Sequence, residues 1–310
     1  MASLLRSGGA RAALSLSRGG SGSGGLMAAA RFLYSANSPT RVPLAFDHHE
    51  PPRPVADAKT SPILFLHGLF GSKKNNRSIS KALARDLGRH VYVLDLRNHG
   101  DSPHHQRHDY LAMADDVAGF IEEHELKEPT LIGHSMGAKT AMTIAIAAPD
   151  LVHDIVSVDN APIDATISGD FAKYVRGMRE IEQAGVKRQA EADKILEQYE
   201  PSLPIRQFLL QNLYRDNDDT QKFRVPLSVL GSALNHMGDF PYTNPDLLRF
   251  EKRALFVRGT KSKYVADEAL PIIGRFFPRF ELVDIDAGHW LISEKPEEFR
   301  QAVVRFLDPK

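Results

Sequence analysis

Two residues in this chain carry the types and setting that acyl-transfer chemistry requires. Ser135 stands inside Gly133-His-Ser-Met-Gly137, and His289 stands inside Asp286-Ala-Gly-His-Trp290. A serine hydroxyl is a weak nucleophile at neutral pH, so it must be presented openly beside a base. A sharp strand-to-helix turn does this at the cost of strained backbone angles on the serine. Gly133 and Gly137 leave the room such a turn needs, and the turn sets Ser135 where helix N–H groups face a developing oxyanion. The base is expected late in the chain, in the order Ser, acid, His. Of the 13 histidines, only His289 lies beyond position 236.

The histidine needs a carboxylate to orient it. Asp159, in Ser157-Val-Asp-Asn-Ala-Pro162, follows a strand-like run and could reach a histidine on a neighbouring loop. Asp267 and Glu268 are the fallbacks. Asp284 and Asp286 sit too close before His289 to swing behind it. The oxyanion hole is expected to pair the Met136 N–H with one from His67-Gly-Leu-Phe-Gly71, where Leu69 is the first choice and Phe70 the second. His67 itself reads as a brace for that loop.

The surrounding pattern supplies the elements that must position these groups. Val42–Asp47 reads as an edge strand, with His48 and His49 in the loop after it. Ile63–Leu66, Val91–Leu96, the run into Gly133, Asp154–Asp159, Arg253–Arg258 and Phe280–Ile285 are short and mostly apolar, as strands buried on both faces are. Helical periodicity covers Asn76–Leu87, Tyr110–Leu126, the stretch after Ser135 and Phe299–Leu307. Strands alternating with helices require crossovers and a mainly parallel sheet. Residues from about 162 to 245 break the alternation with helix-rich segments at Phe171–Ala184, Lys187–Tyr199 and Ile205–Leu213, and show no strand pattern. This stretch is expected to form a helical lid.

Composition narrows the function. The 310 residues carry no net charge, which argues against nucleic acid as a main partner. Without a cysteine there is no disulfide, thiol nucleophile or Cys-ligated metal. No apolar run approaches the roughly 18–20 residues that span a bilayer. Residues 1–40 hold Arg6, Arg11, Arg18 and Arg31 among Ser, Ala and Gly, and no acidic residue precedes Asp47. That is the composition of a mitochondrial transit peptide, so a mitochondrial and soluble mature protein is expected. His104, His105 and His108 have ligand-like spacing but read as surface histidines. Asp95, Arg97, Asp101 and Ser102 read as loop ties, and Met113, Met136, Met142, Met178 and Met237 as core or lid filler.

Taken together, His67-Gly-Leu-Phe-Gly-Ser72, Asp95-Leu-Arg-Asn-His-Gly-Asp-Ser102, Gly133–Gly137, Val158–Pro162 and Gly288-His-Trp290 resemble the α/β-hydrolases over nearly all of residues 42–308. The chain is similar to the branch that contains abhydrolase domain-containing protein 11, its fungal counterparts and the yeast ethanol acetyltransferases. The resemblance implies a mainly parallel sheet flanked by helices with an inserted lid. It implies neither metal nor organic cofactor, and a mitochondrial, matrix location. Most of the family places its acid in a later Gly-x-x-Asp pattern; this chain has Gly259-Thr-Lys-Ser262 there. The branch places it after the strand that follows the nucleophile helix, which points to Asp159. The implied activity is cleavage of a small ester or thioester through an acyl-enzyme. Transfer of the acyl group to an alcohol is the alternative, and a non-catalytic scaffold for a protein partner is a second one.

Overall fold

The computed structural model describes residues 40–52, 61–165 and 169–308. The transit-peptide expectation falls on residues outside this set. Seven strands form one sheet in the order β1-β3-β2-β4-β5-β8-β9. They are β1 (Phe46–His49), β2 (Ile63–Leu66), β3 (Val91–Leu94), β4 (Thr130–His134), β5 (Ile155–Val158), β8 (Ala254–Gly259) and β9 (Phe280–Ile285). Every neighbouring pair is parallel except the edge strand β1, which runs antiparallel to β3. The edge strand therefore begins later than expected and takes in His48 and His49, which pair with Tyr92 and Val91. Pro43 lies outside it and so removes no ladder hydrogen bond.

The central strands β2, β4 and β5 are buried throughout, because helices cover both faces. On one face lie α2 (Tyr110–Glu123) and α3 (Met136–Ala147), whose Met113, Val117, Met142 and Ile146 join the larger apolar cluster. On the other, α1 (Arg77–Leu87) packs with α10 (Pro296–Leu307), and Leu83, Leu87, Phe299 and Val303 meet the sheet's Phe65 and Val156. The Asp109 carboxylate caps α2 by accepting the Ala112 N–H at 2.8 Å.

Between β5 and β8 the chain leaves the sheet to build α4 (Gly169–Ala184), α5 (Gln189–Leu196), α6 (Leu203–Leu210), a hairpin of β6 (Leu213–Arg215) and β7 (Gln221–Phe223), and α7 (Leu227–Met237). The hairpin corrects the expectation of a strand-free insertion. Its turn is Asp216-Asn-Asp-Asp219, where Asp219 takes a left-handed φ of 68° and side-chain oxygens accept nearby amides. Two three-residue strands are too short for alternation to register in the sequence. Short helices α8 (Leu270–Phe276) and α9 (Leu291–Glu294) complete the order.

Both ends of the insertion are fastened to the α3 side of the core. The buried Lys139 Nζ, one turn into α3, donates to the carbonyls of Ile163 (2.9 Å), Gly238 (2.6 Å) and Asp239 (3.2 Å). The ends also hold each other: Ala165 N donates to Gly238 O, and Phe240 N to Asp164 Oδ1.

Candidate functional site

The crossover from β4 to α3 places Ser135 at φ 54° and ψ −113°, a backbone that L-residues seldom adopt. The strain persists because the turn is locked on all sides. Ser135 N donates to Val158 O at 2.9 Å, and Asn160 Nδ2 donates to Ser135 O at 3.1 Å. A Cβ on Gly133 would stand 2.2 Å from Gly137 O, and one on Gly137 would stand 2.3 Å from Leu66 O. Only glycine lets strand, turn and helix approach this closely.

The Ser135 hydroxyl lies 2.9 Å from His289 Nε2, and His289 Nδ1 lies 2.7 Å from Asp159 Oδ2. The carboxylate only accepts, so Nδ1 carries the ring proton and Nε2 is free to accept from Ser135. Asp159 is fully buried and, like Ser135, sits at a positive φ, 51°. Gly259 N donates to its Oδ1 (3.1 Å), and the Ser262 hydroxyl to its Oδ2 (2.5 Å). The structure therefore brings together Ser135, His289 and Asp159. It does not bring the fallbacks: Asp267 pairs with Arg258, and Glu268 is exposed.

Sheet register explains the meeting. His134 pairs with Val158, so Ser135 and Asp159 are the next residues past the ends of adjacent parallel strands. His289 arrives on the loop after β9, and its backbone is held by a residue not singled out in the sequence. His134 Nε2–H donates to the His289 carbonyl at 2.8 Å. Burial keeps the His134 ring neutral, down to about 4. The Tyr264 ring stacks on His289 with centroids 4.1 Å apart, and Trp290 packs against both His134 and the α6 residue Phe208. The one signal available for His134 and Trp290 was adjacency to Ser135 and His289.

The loop after β2 supplies the second set of groups. Gly71 N donates to Gly68 O at 2.9 Å, closing a turn in which Phe70 has φ 63°. Phe70 N–H is spent on His99 Nε2 at 3.1 Å, so this second-choice donor is occupied. The Leu69 N–H makes no hydrogen bond among the described residues. Met136 N opens α3 and so lacks an intrahelical acceptor. His67 braces the loop: Nδ1–H donates to Gly68 O (2.8 Å), and Nε2 accepts from Leu96 N (3.0 Å). Burial lowers the pKa of both His67 and His99, consistent with neutral rings that each donate and accept.

Behind this loop, Asp95 accepts from Lys73 Nζ (2.5 Å), Lys73 N and Asp101 N, and Ser102 Oγ donates to Asp95 O. Arg97 forks onto Asp116 through two bonds of 2.6 and 2.7 Å, with both side chains wholly buried. The tie function expected of Asp95, Arg97, Asp101 and Ser102 is what they perform. The methionines named as filler are all buried. His108 departs from expectation. It is buried beside His99, accepts from Asn98 Nδ2 at 3.3 Å, and is pushed down to about 3 by burial. His104 is exposed and His105 only partly so; His104 Nε2–H donates to Arg224 O at 2.9 Å.

A cleft of about 640 Å³ lies alongside the site, lined by Gly68, His134, Trp290, Phe208, Ile205 and Lys74 among others. Among the described residues no helix is long and apolar enough to cross a membrane.

Comparison with known proteins agrees with this architecture. A family model described as the alpha/beta hydrolase fold matches residues 61–296. The chain is 43% identical over 264 residues to a probable alcohol acetyltransferase of Saccharomyces cerevisiae, covering 80% of this chain and 77% of that protein. It is 38% identical over 273 residues to an sn-1-specific diacylglycerol lipase, ABHD11, of Xenopus tropicalis, covering 86% and 82%. Among solved structures, a marine microorganism esterase superposes with a TM-score of 0.78 at 31% identity, covering 86% of this chain and 99% of that one. By sheet order, by the strand–turn–helix at Ser135 and by these likenesses, the chain is an enzyme of the α/β-hydrolase superfamily and belongs to that family.

Proposed function

We propose that the protein is a serine hydrolase that cleaves carboxylic esters or thioesters through an acyl-enzyme. The observation that carries this reading is the relay of 2.9 and 2.7 Å from Ser135 through His289 to Asp159. Ser135 Oγ attacks the acyl carbonyl while His289 Nε2 takes its proton. Asp159 holds the ring in the right tautomer and stabilises the imidazolium, without itself becoming protonated. The carbonyl oxygen, now an anion, receives the Leu69 and Met136 N–H groups, each worth about 3 kcal/mol. The imidazolium then protonates the departing alcohol or thiol. In the second half His289 activates water, which attacks the acyl carbon and releases the acid and free Ser135.

Ethanol or another alcohol entering in place of water would give an ester by the same steps, and the acetyltransferase relative makes that acceptor worth measuring. The test uses the full chain and its Ser135→Ala variant with p-nitrophenyl acetate, p-nitrophenyl octanoate and acetyl-CoA, with and without ethanol. Both acid and ethyl ester are quantified. Free acid as the main product, with kcat lowered at least 10³-fold in Ser135→Ala, is the expected result. Ethyl ester outpacing acid would make the protein an acyltransferase. Equal turnover by both proteins would refute Ser135 as the nucleophile.

A further inference from the structure

The reading above uses Asp159 as the residue that orients His289, and a second group on that carboxylate bears directly on how it is held. Asp159 Oδ2 accepts two hydrogen bonds, one from His289 Nδ1–H at 2.7 Å and one from Ser262 Oγ–H at 2.5 Å. Its other oxygen accepts Gly259 N–H at 3.1 Å. The carboxylate is fully buried, so each of these bonds fixes its rotation as well as balancing its charge. Ser262 is held in turn: its N–H donates to Gly259 O at 3.0 Å, and its Oγ accepts Tyr264 N–H at 3.3 Å. Tyr264 then stacks on His289 with centroids 4.1 Å apart and planes 27° apart. One serine hydroxyl thus touches the acid and braces the backbone of the ring that covers the base.

We propose that Ser262 is a positioning residue for the proton relay, setting the rotation of the Asp159 carboxylate and, through Tyr264, the plane of His289. This rests on Ser135, His289 and Asp159 acting as proposed above. Loss of the hydroxyl leaves Oδ2 with the histidine alone and frees the carboxylate to turn, so the histidine is caught in a productive orientation less often. That slows chemistry without altering substrate contacts, so kcat falls and KM does not. The same geometry makes position 262 able to carry the acid itself. A carboxylate there is longer than the serine hydroxyl and extends toward the volume that Asp159→Gly vacates. Glycine also suits the φ of 51° at position 159.

The experiment compares the wild type with Ser262→Ala, Ser262→Thr, Asp159→Gly and Asp159→Gly/Ser262→Asp on a p-nitrophenyl ester, each variant first checked for a cooperative thermal transition. Ser262→Ala is expected to lower kcat about tenfold at unchanged KM. Ser262→Thr, which keeps the hydroxyl, is expected to restore most of it. Asp159→Gly is expected to lose at least 10³-fold, and the double variant to recover at least tenfold over it. Ser262→Ala with wild-type kcat, or Ser262→Thr no better than Ser262→Ala, overturns the role of Ser262 and leaves the proposed function standing. A folded double variant no better than Asp159→Gly overturns the statement that position 262 can carry the acid. Asp159→Gly with wild-type kcat instead removes Asp159 from the relay, and the inference falls with that reading.

Discussion

Lys139 offers a test that links the core to the insertion between β5 and β8. Its ammonium is buried against three carbonyls and the Tyr110 ring, 5.7 Å away, with no carboxylate in contact among the described residues. Burial pushes its pKa down to about 8 from 10.5, although Asp164 and Asp239 pull the other way. Between those two pH values the unfolded chain holds a proton that the folded chain has shed. The unfolded state binds more protons there, so Lys139 makes stability rise with pH through that window. The gain from pH 7.5 to 10.5 is about 3 kcal/mol, from 1.36 kcal/mol for each factor of ten. Other groups titrate over the same range, so the measurement is the difference between wild type and Lys139→Met, whose reference cancels them. Urea unfolding at pH 7.5, 8.5, 9.5 and 10.5 should show that difference moving toward the wild type by about 3 kcal/mol, or roughly 6–10 °C in Tm. Amide exchange at Ala165 and Phe240, whose N–H groups zip the two ends of the insertion, should quicken in Lys139→Met. A difference that stays flat with pH would refute the buried, easily deprotonated lysine.

Three further outcomes follow from the same geometry. Gly137→Ala puts a Cβ 2.3 Å from Leu66 O, where only backbone can move, so the variant should lose activity on p-nitrophenyl esters and unfold at lower urea. Arg97→Met leaves the buried Asp116 carboxylate without its fork and should cost about 3–5 kcal/mol in the same unfolding assay. His134→Phe keeps an aromatic ring but loses the bond to His289 O; kcat should drop about tenfold, read on the same esters.

The sequence was legible where local chemistry and sheet register coincide. Ile63–Leu66 and Phe280–Ile285 occupy the expected residues because an all-apolar or alternating run bounded by polar turns has one fit to a sheet. The Ser135 turn could be read because glycines at fixed offsets mark a backbone that other residues forbid. What escaped depends on contacts between distant segments. His108 reads as solvent-facing among His104, His105 and Arg107, yet it is enclosed beside His99. Lys139 lies in an apolar helix, and its acceptors are carbonyls 24, 99 and 100 residues away, so nothing near it in the chain foretells them. The start of β1 slipped because pairing with β3, rather than the apolar Val42 and Leu44, decides which residues form the ladder.

The position of Asp159 has a topological reason. In a parallel sheet the carboxyl ends of neighbouring strands open on the same edge. β5 lies between β4, which ends at His134 just before Ser135, and β8, which ends at Gly259. A carboxylate one residue past β5 is therefore flanked by the serine turn on one side and by the Gly259–Ser262 turn on the other. Asp159 N donates to Val257 O while its side chain accepts from Gly259 N and Ser262 Oγ, so backbone and side chain are both set by β8 and the turn that follows it. Moving an acid between the ends of β5 and β8 needs no rearrangement of the sheet, because the two positions already meet in one hydrogen bond. In this chain position 262 keeps a hydroxyl, and it donates to the same Asp159 oxygen that faces His289 Nδ1.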